Sequence, residues 1–149
     1  MADKHGIIRL KRVAHVRGLR LNRAAEDARI AHEAAMVAQE AAQAHLDRQE
    51  QLVVDARGMF AQDPACPQAK LWLTHTSELM VVRAEAVIDA DAELEIAEAD
   101  RAAAVRAVAR HQARSDRIAD HHKSLLRADR LLAETRSELD APAAQRNAR

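Results

Sequence analysis

Ala24, Ala28, Ala31, Ala35, Ala38 and Ala42 recur at alternating steps of four and three. The same frame continues outward through Ile7, Leu10, Ala14, Arg17 and Leu21 on one side and through His45, Gln49, Leu52, Ala56 and Met59 on the other. Thirteen of these sixteen positions are apolar. A stripe that repeats every 3.5 residues stays on one side of a helix only if the helix coils around a partner, so the pattern predicts a coiled coil. The small side chains would let that partner approach closely.

The helix breakers suggest where the partner comes from. The only prolines before the C-terminal tail are Pro64 and Pro67, just past the end of the stripe, while residues 19–57 and 68–141 contain neither glycine nor proline. Two long helices joined by Asp63-Pro64-Ala65-Cys66-Pro67 is the economical reading. Asp63 is the expected N-cap of the second helix, with Pro64 at its first position. The expected fold is therefore all-α: a single long antiparallel two-helix coiled-coil hairpin with its turn near residues 60–70. The helices should cover about 6–62 and 69–140, with a flexible tail at 141–149. At 1.5 Å per residue such arms make a rod, on the order of 80 and 105 Å long.

Composition agrees with a narrow buried strip. Hydrophobic residues make up 48% of the chain but are mostly alanine, and there is one Trp, one Phe and no Tyr. A compact domain of this length buries larger side chains around one centre, so marginal stability is expected. Cys66 is the single cysteine, which excludes an internal disulfide and is compatible with a reducing cytosol. No apolar run approaches the roughly 20 residues needed to cross a bilayer, and no signal-peptide core opens the chain, so a soluble, cytoplasmic protein is expected.

In the second helix, Met80, Val87, Ala90, Leu94, Ala97, Ala104, Val108, Ile118, Leu125, Leu132 and Leu139 share one frame. Arg101, His111, Ser115, His122, Asp129 and Arg136 interrupt that frame. Polar seam residues either fix register or mark places where the seam shifts and the side chains reach solvent. A hairpin turning near residue 65 sets residue i against about 131 − i. The segment beyond about Leu131 then has no counterpart in the first helix, leaving Leu131, Leu132, Arg136 and Leu139 as an amphipathic overhang. Such a stripe either docks on a partner or is a frayed end.

Net charge is zero, but it is partitioned. Residues 1–29 carry eight basic and three acidic side chains, residues 101–149 eleven and six, and residues 78–100 one and eight. Folding the chain into a hairpin superposes the two basic segments at the end that holds both termini. That end is dense in Arg9, Lys11, Arg12, Arg17, Arg20, Arg23, Arg106, Arg110, Arg114, Arg117, Arg127 and Arg130, which would attract an acidic surface. A charge run can equally be a solvated face.

The basic opening Ile8-Arg9-Leu10-Lys11-Arg12-Val13-Ala14-His15-Val16-Arg17 leads into an Ala/Glu/Gln-rich helix and a Pro-marked turn near the middle. The chain closes with Arg127-Ala128-Asp129-Arg130-Leu131-Leu132-Ala133-Glu134. Over nearly its whole length it resembles the FliJ/YscO family, the central-stalk proteins of bacterial type III secretion and flagellar export. The resemblance implies a stalk similar to the coiled coil of the rotary ATP synthase gamma subunit, with its paired termini in the pore of a hexameric export ATPase. It also implies links to the export gate protein and export chaperones at the inner membrane. The ATPase contacts would then fall on Arg9, Leu10, Arg12, Arg17, Arg127, Arg130, Leu132, Arg136 and Leu139. Met59, Phe60 and Trp72 flank the turn and are nominated for the gate or chaperone, because such side chains dominate interface energetics. Alternatively, they pack the hairpin end together.

No catalytic machinery is expected. Gly6, Gly18 and Gly58 are isolated and form no phosphate loop. No two of the eight histidines stand four residues apart, and adjacent His121 and His122 point about 100° apart on a helix, so neither a metal site nor a cofactor is expected. A cysteine nucleophile at Cys66 would need a pocket and a base, for which a two-helix rod has little room. Two other readings stay open: an unrelated cytosolic coiled-coil adaptor or chaperone, and a rod that binds nucleic acid through its basic end. The basic region lacks the aromatic rings on which single strands stack, which weakens the second. Homodimerisation is also open, because Val13, Val16, Ile30 and Val37 could remain uncovered.

Overall fold

The computed structural model describes the backbone of residues 4–146 and the side chains of residues 6–137. It is an all-α hairpin of two helices, α1 (Lys4–Gln62) and α2 (Pro67–Arg146). The last hydrogen bond of α1 runs from the Asp63 N–H to the Met59 carbonyl at 3.2 Å. Asp63 then makes the turn, its side chain accepting from Ala65 N–H and its carbonyl from Cys66 N–H, both at 3.2 Å.

The first bond of α2 is Lys70 N–H to the Cys66 carbonyl. The second proline therefore starts the helix, and the expected cap at Asp63 with Pro64 at the first position is corrected. Pro67 is well suited to that place, because its missing N–H would have found no partner in the first turn. α2 runs past the expected end near 140 and through Pro142 to Arg146. Of the expected tail, residues 147–149 lie outside the described residues, as does the side chain of Leu139.

The chain divides into two compact units, each an antiparallel helix pair: unit 1 combines residues 1–23 with 106–149, and unit 2 is residues 24–105. In unit 1, Lys11 Nζ donates to His122 Nδ1 at 2.9 Å, and Gly18 lies against His111. In unit 2, His32 faces Glu98 at 3.7 Å, Gln39 Nε2 donates to Asp91 Oδ1 at 3.1 Å, and Gln49 Nε2 donates to the Thr76 carbonyl at 2.9 Å. Rising numbers on α1 meet falling numbers on α2, as a turn near residue 65 requires.

The residues of α1 withdrawn from solvent confirm the period but correct half of the frame. Ile7, Ala14, Leu21, Ala28, Ala35, Ala42, Gln49 and Ala56 face α2 as expected, but the companion set is Gly18, Ala25, His32, Gln39, Leu46, Val53 and Phe60. Leu10, Arg17, Ala24, Ala31, Ala38, His45, Leu52 and Met59 are exposed instead. Burying a single methyl group gains only about 0.8 kcal/mol, so alanine hardly distinguishes neighbouring positions. The larger Leu46, Val53 and Phe60, with the polar contacts of His32, Gln39 and Gln49, decide the rotation of α1.

In α2 the expected frame holds from Met80 to Leu125. His111, Ser115 and His122 belong to the seam, whereas Arg101, Asp129 and Arg136 reach solvent. The buried residues described are Val53, Ala56 and Ala69 together with His32, Gln49 and Thr76, and all six belong to unit 2. Among the described residues no large side chain is fully buried, and no buried polar side-chain atom lacks a hydrogen-bond partner. On the outer surface of α1, the Glu26 carboxyl is held below its ordinary value by the hydrogen bond from Arg29, which also pairs with Glu33. These side chains are exposed, and water screens most of what the pairs could add to stability.

Candidate functional site

Seventeen Lys and Arg against seven Asp and Glu give unit 1 a net charge of +10, and six against sixteen give unit 2 a net charge of −10. In unit 1 this charge accompanies apolar side chains turned to solvent. Ile8, Leu10, Val13, Val16 and Leu19 on α1 are all exposed, Val13 to 65% of its surface. Leu131 and Leu132 on α2 are exposed as well. Isolated exposed apolar residues are ordinary, whereas a run of them rimmed by one sign of charge on a narrow helix pair is the kind of surface a partner can cover.

Two grooves organise the basic side chains. Arg12, Val13, Val16, Arg17, Arg20 and Leu21 line one of about 620 Å³, an apolar floor edged by three guanidinium groups. Arg17 and Leu21 reach round to a second, of about 260 Å³, where Arg110, His111 and Arg114 of α2 complete the wall. Arg17, Arg110 and Arg114 thus converge across the helix pair. Guanidinium forks so placed can bind carboxylates or phosphates in bidentate fashion.

Of the residues nominated from sequence, Arg12 and Arg17 are brought together in the first groove. Arg9 and Leu10 lie exposed one to two turns earlier on α1. Arg127, Arg130, Leu132 and Arg136 fall in a stretch, Leu126–Ser137, in which every side chain is exposed. That stretch follows Leu125, the last α2 residue withdrawn from solvent among those whose side chains are described, and contains the expected overhang residues Leu131, Leu132 and Arg136. Leu10 is corrected from a seam to a surface position, whereas Leu132 is exposed as expected of the overhang. Arg20, Arg110 and Arg114 were not singled out as contacts by sequence reasoning. Their joint role depends on helix rotation and register, although their steps of three and four from Arg17 and from one another were visible signals.

At the turn end of unit 2, Met59 is exposed, while Phe60 and Trp72 are half-buried. Phe60 takes a seam position, so part of the nominated gate surface serves packing, and Met59 and Leu71, the latter 71% exposed, are the large side chains most open to solvent there. Among the described residues no group of three or more His, Cys, Asp or Glu could hold a metal ion, and no helix is long and apolar enough to cross a membrane.

No family model, curated protein or solved structure matches this chain.

Proposed function

We propose that this chain is a cytoplasmic stalk component of a bacterial type III export apparatus, docking its paired terminal segments into the ring of the hexameric export ATPase. The observation that carries the reading is unit 1, a helix pair of net charge +10 built from the first part of α1 and the last part of α2, with apolar side chains exposed among its basic ones. An acidic ring lumen with apolar contact points would draw in such an end and hold it. Arg12, Arg17 and Arg20 would pair with ring carboxylates, Val13, Val16 and Leu10 would supply apolar contact, and Arg127, Arg130, Leu132 and Arg136 would extend the grip along α2.

Such a stalk would act without chemistry of its own. If it binds the conformations of the ring subunits unequally, its binding free energy shifts their populations and thereby their ATP turnover. The turn end of unit 2, with Met59 and Leu71 open to solvent, would serve the export gate protein or export chaperones.

The test is ATP hydrolysis by the export ATPase of the same bacterium, alone, with the full chain and with a chain ending at Arg130. Stimulation by the full chain that truncation abolishes supports the stalk and places the contact on the α2 overhang. Stimulation that survives truncation but is lost in Arg12→Glu/Arg17→Glu moves the contact to the α1 groove. No binding and no stimulation at low salt overturns the reading in favour of an adaptor unrelated to export.

A further inference from the structure

The docking surface of unit 1 has a counterpart on unit 2. There, Ala28, Ala31, Ile96 and Ala97 line a groove of about 450 Å³ edged by Asp27, Glu93 and Asp100. Ile96 is 64% exposed although it is large and apolar. Elsewhere on unit 2, Ile30, Ala34, Val37, Ala41 and Ala44 repeat at steps of four and three on the outer face of α1, and all five are exposed. A heptad stripe on the face away from the seam is one that another helix pair can cover.

The two surfaces match in kind and oppose in charge. Val13 and Val16 are an apolar, solvent-exposed strip edged by Arg12, Arg17 and Arg20. Ala28, Ala31, Ile96 and Ala97 are likewise an apolar strip, flanked by three carboxylates. Three guanidinium groups against three carboxylates, within units of net charge +10 and −10, is the complementarity expected of a specific contact.

We infer that the occupant of the acidic groove of unit 2 is a second copy of this chain, docked through the basic, partly apolar surface of its unit 1. The fit sets Arg12, Arg17 and Arg20 of one copy against Asp27, Glu93 and Asp100 of the other and covers Ile96. When both copies make the contact, each basic unit is neutralised by an acidic one and the assembly closes as a dimer. This inference is independent of the export reading, because it concerns the purified chain alone and its test contains no ATPase.

The experiment is sedimentation equilibrium of the full chain as salt rises from about 0.1 M to about 1 M, which shortens the screening length from about 10 Å to about 3 Å. The expected result at low salt is twice the 16.5 kDa mass of one chain. The dissociation constant should rise at least tenfold across the salt range. Arg12→Glu/Arg17→Glu/Arg20→Glu and Asp27→Arg/Glu93→Arg/Asp100→Arg should each sediment as monomers, because like charges then face one another. Mixed together they should associate again, since each reversed surface meets its opposite. Circular dichroism checks that the helices persist; if a triple variant loses them, Arg17→Glu and Asp100→Arg are compared alone and mixed. A wild-type chain that stays monomeric at about 100 μM and low salt overturns the inference, as does a dimer that survives either reversal or a mixture that does not associate.

Discussion

Gly18 and Gly58 both interrupt α1, yet a methyl group added at each meets different surroundings. Around Gly58 nothing lies within 4 Å, whereas at Gly18 the new Cβ meets His111 Nε2 at 3.1 Å. Glycine inside a helix costs about 0.8–1 kcal/mol relative to alanine, largely through the freedom of the unfolded backbone. Gly58→Ala should therefore stabilise the chain by nearly that amount and raise the thermal midpoint by a few degrees. Gly18→Ala should gain measurably less, because the His111 imidazole must move aside in the seam. Thermal denaturation of the two variants side by side checks this, and an equal gain at both sites would show that His111 does not hold the two helices at their present separation.

At the scale of the helices, the sequence disclosed the kind of seam more securely than its rotation. The turn, the antiparallel pairing and the α2 frame from Met80 to Leu125 were legible because prolines and large aliphatic residues mark them. The α1 frame was half legible: its alanines are so frequent that two frames one residue apart score alike. Leu52 and Val53 separate the two frames, the first 39% exposed and the second 2%. Val53→Ala should cost about 1.5–2.5 kcal/mol through lost burial and the cavity it leaves, and Leu52→Ala less than about 1 kcal/mol although it removes more carbon. Urea denaturation of both variants decides it, since the opposite order would restore the frame read from the repeat. The basic site was legible as charge but not as a groove, because the convergence of Arg17 with Arg110 and Arg114 depends on a register that no local pattern carries.

Across the whole molecule, burial and charge are distributed unequally between the units, and this has a dynamic consequence. Unit 2 holds every buried residue described, from His32 to Thr76, while the described seam of unit 1 is at most half-buried and includes Gly18, His111, Ser115 and His122. Net charge is equal in size and opposite in sign in the two units, +10 and −10, so like-charge repulsion acts in both and burial is what separates them. Local opening free energy follows buried contact, and amide hydrogen exchange reads it directly. The slowest amides should lie in the stretches 42–60 and 69–84, with protection falling through 25–39 and 87–104 and lowest in 7–21 and 108–125. Equal protection in both units would mean that the half-buried seam of unit 1 is as cohesive as the turn-proximal core. Adding a partner that grips unit 1, whether an ATPase ring or a second copy, should slow exchange in 7–21 and 108–125. A second copy seated as inferred should also slow exchange around Ala28 and Ile96, which a ring gripping only unit 1 would leave unchanged. One exchange map thus separates the two occupants by where on the chain protection rises.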